Sequence, residues 1–481
     1  MSQTTFYQKS NTKGLLLPLG IITAVFVGWL TSWIGVALPA VMVVIALFIP
    51  YAITVFNNPK VGLISFIIYS FLLFALMRGI GYIPFSVGFE AILLLTWLAA
   101  LLHNSKQYDW SIIKNDLTFI GVAWFVLTVL EFFNPVGGGS VLAWIGDARY
   151  PFLWLLVVPL SMVIFNEKKD LNIFLLIIIG ISVLAAFYGI KQLKIGLFPV
   201  EKAFLVTSPT HMIFGKLRVF SFYSDAGQFG ASMAHLCIIA GVLALGPYKK
   251  WKKVACAAAS LLFLYGMFIS GTRGALFTLA VGIFVVLVIN KNVKIIILGL
   301  IIALAGFVFL KYTYIGHGNY QIRRMRTALN PEDASLNTRF RNQEKIADYL
   351  KSYPMGAGVG SIGFAAKSSH HKTYLATIPP DSYWVKIWAS YGIIGLIIWF
   401  GMMMYILGKC CGIVWNVKDK DLKFKLTALT AGAAGIFFCS YGNEVINNMP
   451  SSMIVYISWA FVFLGPKLDS NKQSKLSATY E

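Results

Sequence analysis

The chain has 481 residues, of which 58% are hydrophobic and only 12% charged, and its mean hydropathy is +0.74. Soluble domains carry about a quarter charged residues, so this composition excludes an ordinary soluble enzyme and describes an integral membrane protein. A formal net charge of +21 would suit a nucleic-acid binder in a soluble chain, but here the lysines fall in short connections between apolar runs, as the positive-inside rule predicts. No nucleic-acid partner is expected.

Apolar runs of about 20 residues cross the hydrocarbon core as helices. In chain order the sequence predicts spans near Gly14–Leu30, Val36–Val55, Gly62–Leu76, Pro84–Leu102, Leu117–Leu130, Pro151–Phe165, Leu171–Ile190 and Ala226–Leu245. Six more follow, near Val254–Ile269, Ala275–Ile289, Val293–Leu310, Tyr383–Leu407, Leu426–Tyr441 and Pro450–Leu464. The expected fold is therefore all-α, a polytopic transmembrane bundle of about 12–14 spans with one large, partly helical extracytoplasmic loop. The first run has no small-residue cleavage site and is followed at once by another span, so it reads as a retained helix and not a signal peptide. Residues 1–310 hold the first eleven spans, 311–382 the loop and 383–465 the last three. The polar tail, 466–481, has no apolar pattern and is expected to be disordered.

The N-terminus, the connection at Lys60, and "HNSKQYDWSIIKND", "NEKKD", "PYKKWKK", "NKNVK" and "KDKDLKFK" share one side and carry the lysine excess. That side is predicted to be cytoplasmic, with both termini on it. Arginine departs from the pattern. All nine arginines, Arg78, Arg149, Arg218, Arg273, Arg323, Arg324, Arg326, Arg339 and Arg341, fall on the outer side. Guanidinium forks match phosphate geometry bidentately, whereas ammonium groups act as point charges, so the separation suggests an outer site for a phosphorylated ligand. For Arg323, Arg324 and Arg326 ordinary surface positions in a long loop suffice. Arg273, in "ISGTRGALF", occupies a tight turn at the membrane surface and faces headgroups or a cavity in the bundle.

Within the loop, "NTRFRNQEKIADYLKSYP" predicts a helix with Asn337 as N-cap and Pro354 as stop. Ile346, Leu350, Ala347, Phe340 and Arg339 fall within an arc of about 120°, with Arg341 pointing away. The glycines of "PMGAGVGSIGF" read as a turn that lets backbones pack closely, since nothing places them as a phosphate loop. His370 and His371 are adjacent, their side chains diverge in an extended strand, and no ligand-spaced partner accompanies them, so no metal or other cofactor is expected. The five cysteines lie within spans or near their inner ends, which predicts no disulfide in the loop.

Three stretches, "SGTRGALFTLAVGIF", "YPMGAGVGSIGF" and "DSYWVKIWASYGIIG", resemble the O-antigen ligase and O-antigen polymerase superfamily of bacterial inner-membrane glycosyltransferases. The resemblance implies transfer or polymerisation of an undecaprenyl-diphosphate-linked glycan on the periplasmic face, to a glycan, lipid A core or protein acceptor. Family ligases carry a histidine, then Asn, Ser or Gln, nine residues and GxxG. Here Asp381 and Ser382 precede nine residues and then Gly392, Ile393, Ile394 and Gly395, so aspartate stands where the family keeps histidine. By motif the family's two functional arginines fall on Arg273 and Arg339, a diphosphate clamp, and its general base falls on Asp381. An aspartate serves as base when low dielectric raises its pKa; nearby arginines and Lys386 are expected to oppose that. Alternatively, Asp381 caps the following helix. Arg218, Asp225, Arg341 and Ser382 are further candidates for substrate binding, with a juxtamembrane Arg218–Asp225 ion pair as the plainer reading. Glu131, Arg149 and Glu444 lie at outer helix ends and are candidates to line the same cavity. A lipid-linked oligosaccharide flippase is the alternative function; the absence of a visible repeat weighs against it.

Overall fold

The computed structural model describes residues 25–29, 31–32, 37–80, 85–103, 105–136, 140–213, 215–290, 293–330, 332–370 and 373–470. The expected first span lies outside the described residues except for 25–29, as does His371. The described chain is almost wholly helical. The N-terminal half contains α1 (Ala37–Asn57), α2 (Pro59–Ile80), α3 (Phe85–Leu98), α4 (Asp116–Leu130), α5 (Val141–Ile164) and α6 (Lys168–Lys194). A short helix, α7 (Pro199–Thr207), and a two-stranded ribbon pairing Met212–Ile213 with Lys216–Leu217 lead into α8 (Ala226–Ala244), α9 (Lys250–Ser270), α10 (Ala275–Ile289) and α11 (Val293–Tyr312). The long loop carries α12 (Tyr320–Arg326), α13 (Ala334–Leu350) and α14 (Gly363–Ser368), and the chain closes with α15 (Tyr383–Asn416), α16 (Lys420–Cys439) and α17 (Ser451–Phe463).

Among the described residues nine helices are long and apolar enough to cross a membrane. Four shorter apolar helices, Met42–Asn57, Ala275–Ile289, Ile296–Tyr312 and Ser451–Phe463, coincide with further expected spans. Large apolar side chains such as Phe119, Leu176 and Leu261 point outward, as expected where lipid is the solvent. α8 and α16 lie innermost and are almost entirely buried. α16 packs against α10 through a small residue: a Cβ on Gly435 would stand 2.7 Å from the Thr278 carbonyl oxygen, so the backbones of α16 and α10 approach closely.

Three boundaries differ from the expectation. α5 starts at Val141, with the Ser140 hydroxyl accepting from the Ala143 N–H at 3.3 Å, and takes Pro151 into its interior; transmembrane helices tolerate such prolines. α15 extends to Asn416 and breaks at Gly392. The tail also begins later, because 465–470 continue as helix. Leu468 is buried and the Asp469 carboxylate accepts from the Lys418 and Asp419 N–H groups at 2.9 and 3.0 Å.

Candidate active site

Arg273 owes its position to the turn between α9 and α10. Gly271 ends α9 in the left-handed conformation, at φ +62°, the Ser270 hydroxyl oxygen accepts from the Thr272 N–H at 3.1 Å, and the Thr272 hydroxyl donates to the Ala226 carbonyl at 2.7 Å. The turn is thereby pinned to α8. From it Arg273 Nη1 donates to Thr327 Oγ1 at 3.0 Å and forms an ion pair with Asp333 Oδ2 at 2.5 Å.

Asp333 also caps α13, accepting from the Ser335 and Leu336 N–H groups at 3.0 and 3.1 Å. The expected cap, Asn337, lies instead one turn inside the helix. Partial burial works to raise the Asp333 carboxyl pKa, but Arg273 and the two amides together hold it below the usual carboxylate range. One carboxylate thus ties the Arg273 turn to the helix bearing Arg339.

Along α13, Ile346 and Leu350 are buried and Arg341 is exposed, as the helical face predicts, whereas Phe340 is 44% exposed. Arg339 is half-buried, with its guanidinium beside Gly442. Burial lowers its pKa, Asp381 opposes that shift and Arg273 adds to it. Arg273, Arg339 and Asp381 therefore share one electrostatic neighbourhood.

Asp381 precedes α15 in the left-handed conformation, φ +51°, which Asp tolerates better than most residues and which recurs where function imposes strain. It does not cap the helix. Ser382 does, accepting from the Val385 N–H at 3.3 Å while its own hydroxyl donates to the Ser440 carbonyl at 3.3 Å. The Ser382 hydroxyl is buried and fully engaged, which removes it from the substrate-binding candidates. The Asp381 side chain remains accessible at its surface, yet crowding by protein atoms strips part of its hydration and raises its pKa. Arg339, the Asn342 amide and Lys367 pull downward, and the Glu444 carboxylate pushes upward.

Residues 258–400 match the family described as O-antigen ligase. This segment is therefore similar to the O-antigen ligase family over about 30% of the chain's length. The match takes in Arg273, Arg339, Asp381 and the Gly392–Gly395 pair, and it supports a membrane enzyme that processes glycans. No curated protein matches the chain significantly.

Within the matched segment, Lys386 plays a different part from the one expected. Its ammonium is buried on α15, 2.8 Å from Asp147 Oδ1 of α5 and 3.5 Å from Glu444 Oε2. Two carboxylates answer its charge, and the charges that weigh most on Asp381 are Arg339, Glu444 and Lys367, with Glu444 of the opposite sign. Asp147 was hidden in the sequence because the expected span began at Pro151, leaving "GDARY" as a connection.

The glycines of "PMGAGVGSIGF" dock into the broken α15. Gly392 has φ +69° and ψ −173° inside the helix. The carbonyls released there accept from the loop: Ala357 N–H to Ala389 at 2.9 Å and Gly358 N–H to Ser390 at 3.0 Å, while Ile393 N–H donates back to Pro354 at 3.2 Å. A Cβ on Gly392 would collide with the Pro354 carbonyl oxygen. Irregular backbone at membrane depth survives only where protein satisfies it, and this exchange does so. The nine-residue spacing from Ser382 is then the length of helix between the cap and the docking point.

The remaining candidates scatter. Asp225 caps α8 through the Gln228 N–H at 2.9 Å instead of pairing with Arg218. Arg149 pairs with Glu90 at 2.5 Å, and Glu131 accepts from the Asn134 amide at 2.8 Å. No group of three or more His, Cys, Asp or Glu side chains among the described residues is placed to hold a metal. An open groove lined by Tyr405, Lys409, Asn416, Lys418 and Asp469 lies at the opposite end of α15 from Asp381 and holds none of these groups.

Proposed function

We propose that the protein transfers or polymerises a glycan carried on a polyprenyl (undecaprenyl-type) diphosphate, at the extracytoplasmic face, with inversion at the anomeric carbon. The convergence of Arg273, Arg339 and Asp381 from three separate stretches carries this reading. The acceptor hydroxyl oxygen attacks the anomeric carbon from the face opposite the carrier while Asp381 takes its proton. The bond from that carbon to the carrier oxygen breaks, and the diphosphate leaves with the electron pair. Arg273 and Arg339 stabilise the negative charge that grows on it, and they do so best where water is excluded. Both contacts of Arg273 use Nη1, which leaves its Nη2 edge for a phosphate oxygen.

The aspartate in place of the family's histidine favours a polysaccharide polymerase over a ligase to lipid A core. The test is deletion of the gene followed by electrophoresis of surface glycans. Capped single repeats indicate a polymerase. Long carrier-linked chains missing from the lipid A core indicate a ligase, and unchanged glycans refute both.

A further inference from the structure

Two arginines outside the clamp close over the same turn. Arg324 of α12 donates from Nε to the Gly271 carbonyl at 2.6 Å and from Nη1 to the Tyr320 hydroxyl at 3.4 Å. Arg218 donates from Nη1 to the Thr210 carbonyl at 3.2 Å and from Nη2 to Thr272 Oγ1 at 3.4 Å, while its buried Nε has no partner. A Cβ on Gly271 would stand 2.9 Å from Arg324 Cδ and 3.7 Å from Arg218 Cγ, so the two stems converge on one α-carbon. Gly271 is required here twice over, by its left-handed backbone and by this crowding.

Neither guanidinium forms a salt bridge with a carboxylate among the described residues, whereas Arg273 and Arg149 both do. The acid acting on Arg218, Asp225, caps α8 and accepts the Ser224 hydroxyl at 2.8 Å. Burial brings the Arg218 pKa down to about 10, and the charge of Arg324 works the same way. Two cations held together by neutral carbonyls and hydroxyls repel each other, and a bound anion relieves that repulsion. Thr272, which Arg218 touches, is the neighbour of Arg273. The uncompensated pair is therefore built into the same turn as the clamp.

We propose that Arg218 and Arg324 form a second anion subsite, beside the Arg273–Arg339 clamp, that binds a phosphate group of the acceptor. The proposal rests on the clamp reading and extends it. It makes the acceptor a phosphorylated lipid: either a second carrier-diphosphate glycan or a phosphorylated lipid A core. For a polymerase, two diphosphates are then held at once.

The test counts lipids bound to the full-length protein in nanodiscs by native mass spectrometry, with undecaprenyl diphosphate, lipid A and phosphatidylglycerol as probes. The wild type should bind two phosphorylated ligands. Arg218→Gln with Arg324→Gln should bind one, with the second affinity weakened on the order of tenfold or more. Arg324→Lys, which keeps the charge and the stem, should lie between, and it guards against misfolding as the cause. Two undecaprenyl diphosphates per chain identify a carrier-linked acceptor, while one plus one lipid A identifies the core, and either supports the subsite. A wild-type count of one overturns it, as does equal binding of phosphatidylglycerol at the second position. If Arg273→Gln with Arg339→Gln still binds two ligands, the clamp reading fails and the second subsite stands.

Discussion

Replacing Asp381 by Asn separates chemistry from structure, because Ser382 and not Asp381 caps α15. Asn adopts the left-handed backbone at φ +51° as readily as Asp, so folding stability should change by less than about 0.5 kcal/mol. A positioned general base contributes about 10²–10⁴ in rate, equivalent to about 3–5 kcal/mol of transition-state stabilisation at 1.36 kcal/mol per decade. Asn cannot take the proton, so the full factor should be lost. Asp381→His returns the family's residue type and should recover activity above about pH 6.5, where imidazole is neutral. The assay is the initial rate of glycan transfer in membrane vesicles, normalised to protein level, with thermal unfolding of each purified variant as control. Undiminished transfer by Asp381→Asn at an unchanged unfolding temperature refutes the base assignment.

Arg339→Lys keeps the charge but loses the fork, and inhibition by added undecaprenyl diphosphate should weaken on the order of tenfold with little change in stability. Lys386→Met leaves Asp147 and Glu444 facing each other without their cation and should destabilise the protein by about 3–5 kcal/mol. Adding Asp147→Leu should restore part of that loss, read as unfolding temperature in detergent. Gly392→Ala drives a methyl group into the Pro354 carbonyl and forces a left-handed alanine. It should cost at least about 2 kcal/mol and lower the yield of folded protein, even though no substrate contact is removed.

Much of this architecture was legible because the bilayer dictates it. Runs such as "LLIIIGISVLAAFYGI" have one stable form in hydrocarbon, a helix that satisfies its own backbone. The inward aim of Arg339 followed from helical periodicity, whereas the phosphate-binding face suggested by the segregation of arginine from lysine stays part of the proposal. Contacts between distant segments were not legible. Arg324 read as an ordinary surface arginine because nothing local shows that α12 folds back onto Gly271. Asp147 looked like part of a connection because Pro151 suggested a helix start, although its partner, Lys386, lies more than 200 residues away. Asn337 made a plausible cap, but Asp333 can cap α13 and pair with Arg273 at once. The Gly392 break has a sequence signal, a glycine in an apolar span, yet nothing local shows that residues 354–358 hydrogen-bond to the backbone opened there.

On the proposed mechanism Asp381 acts as a base although Arg339 opposes the burial that raises its pKa, and the arrangement of charges suggests how donor binding helps it. The positive charge of Arg339 favours the ionised form of Asp381 and so lowers its proton affinity; burial and Glu444 act in the other direction. A diphosphate bound to Arg339 neutralises that charge and excludes water, and both changes raise the pKa of Asp381. Under the proposed mechanism, donor binding would thus increase the basicity of the group assigned to activate the acceptor, and only when there is something to transfer. The consequence is measurable, because kcat/KM for the donor reports the free enzyme and kcat the loaded one. The acid limb of kcat should lie at higher pH than that of kcat/KM, and Glu444→Gln, which removes the upward push, should move both limbs to lower pH. Coincident limbs, or limbs that do not respond to Glu444→Gln, contradict the coupling between donor charge and Asp381.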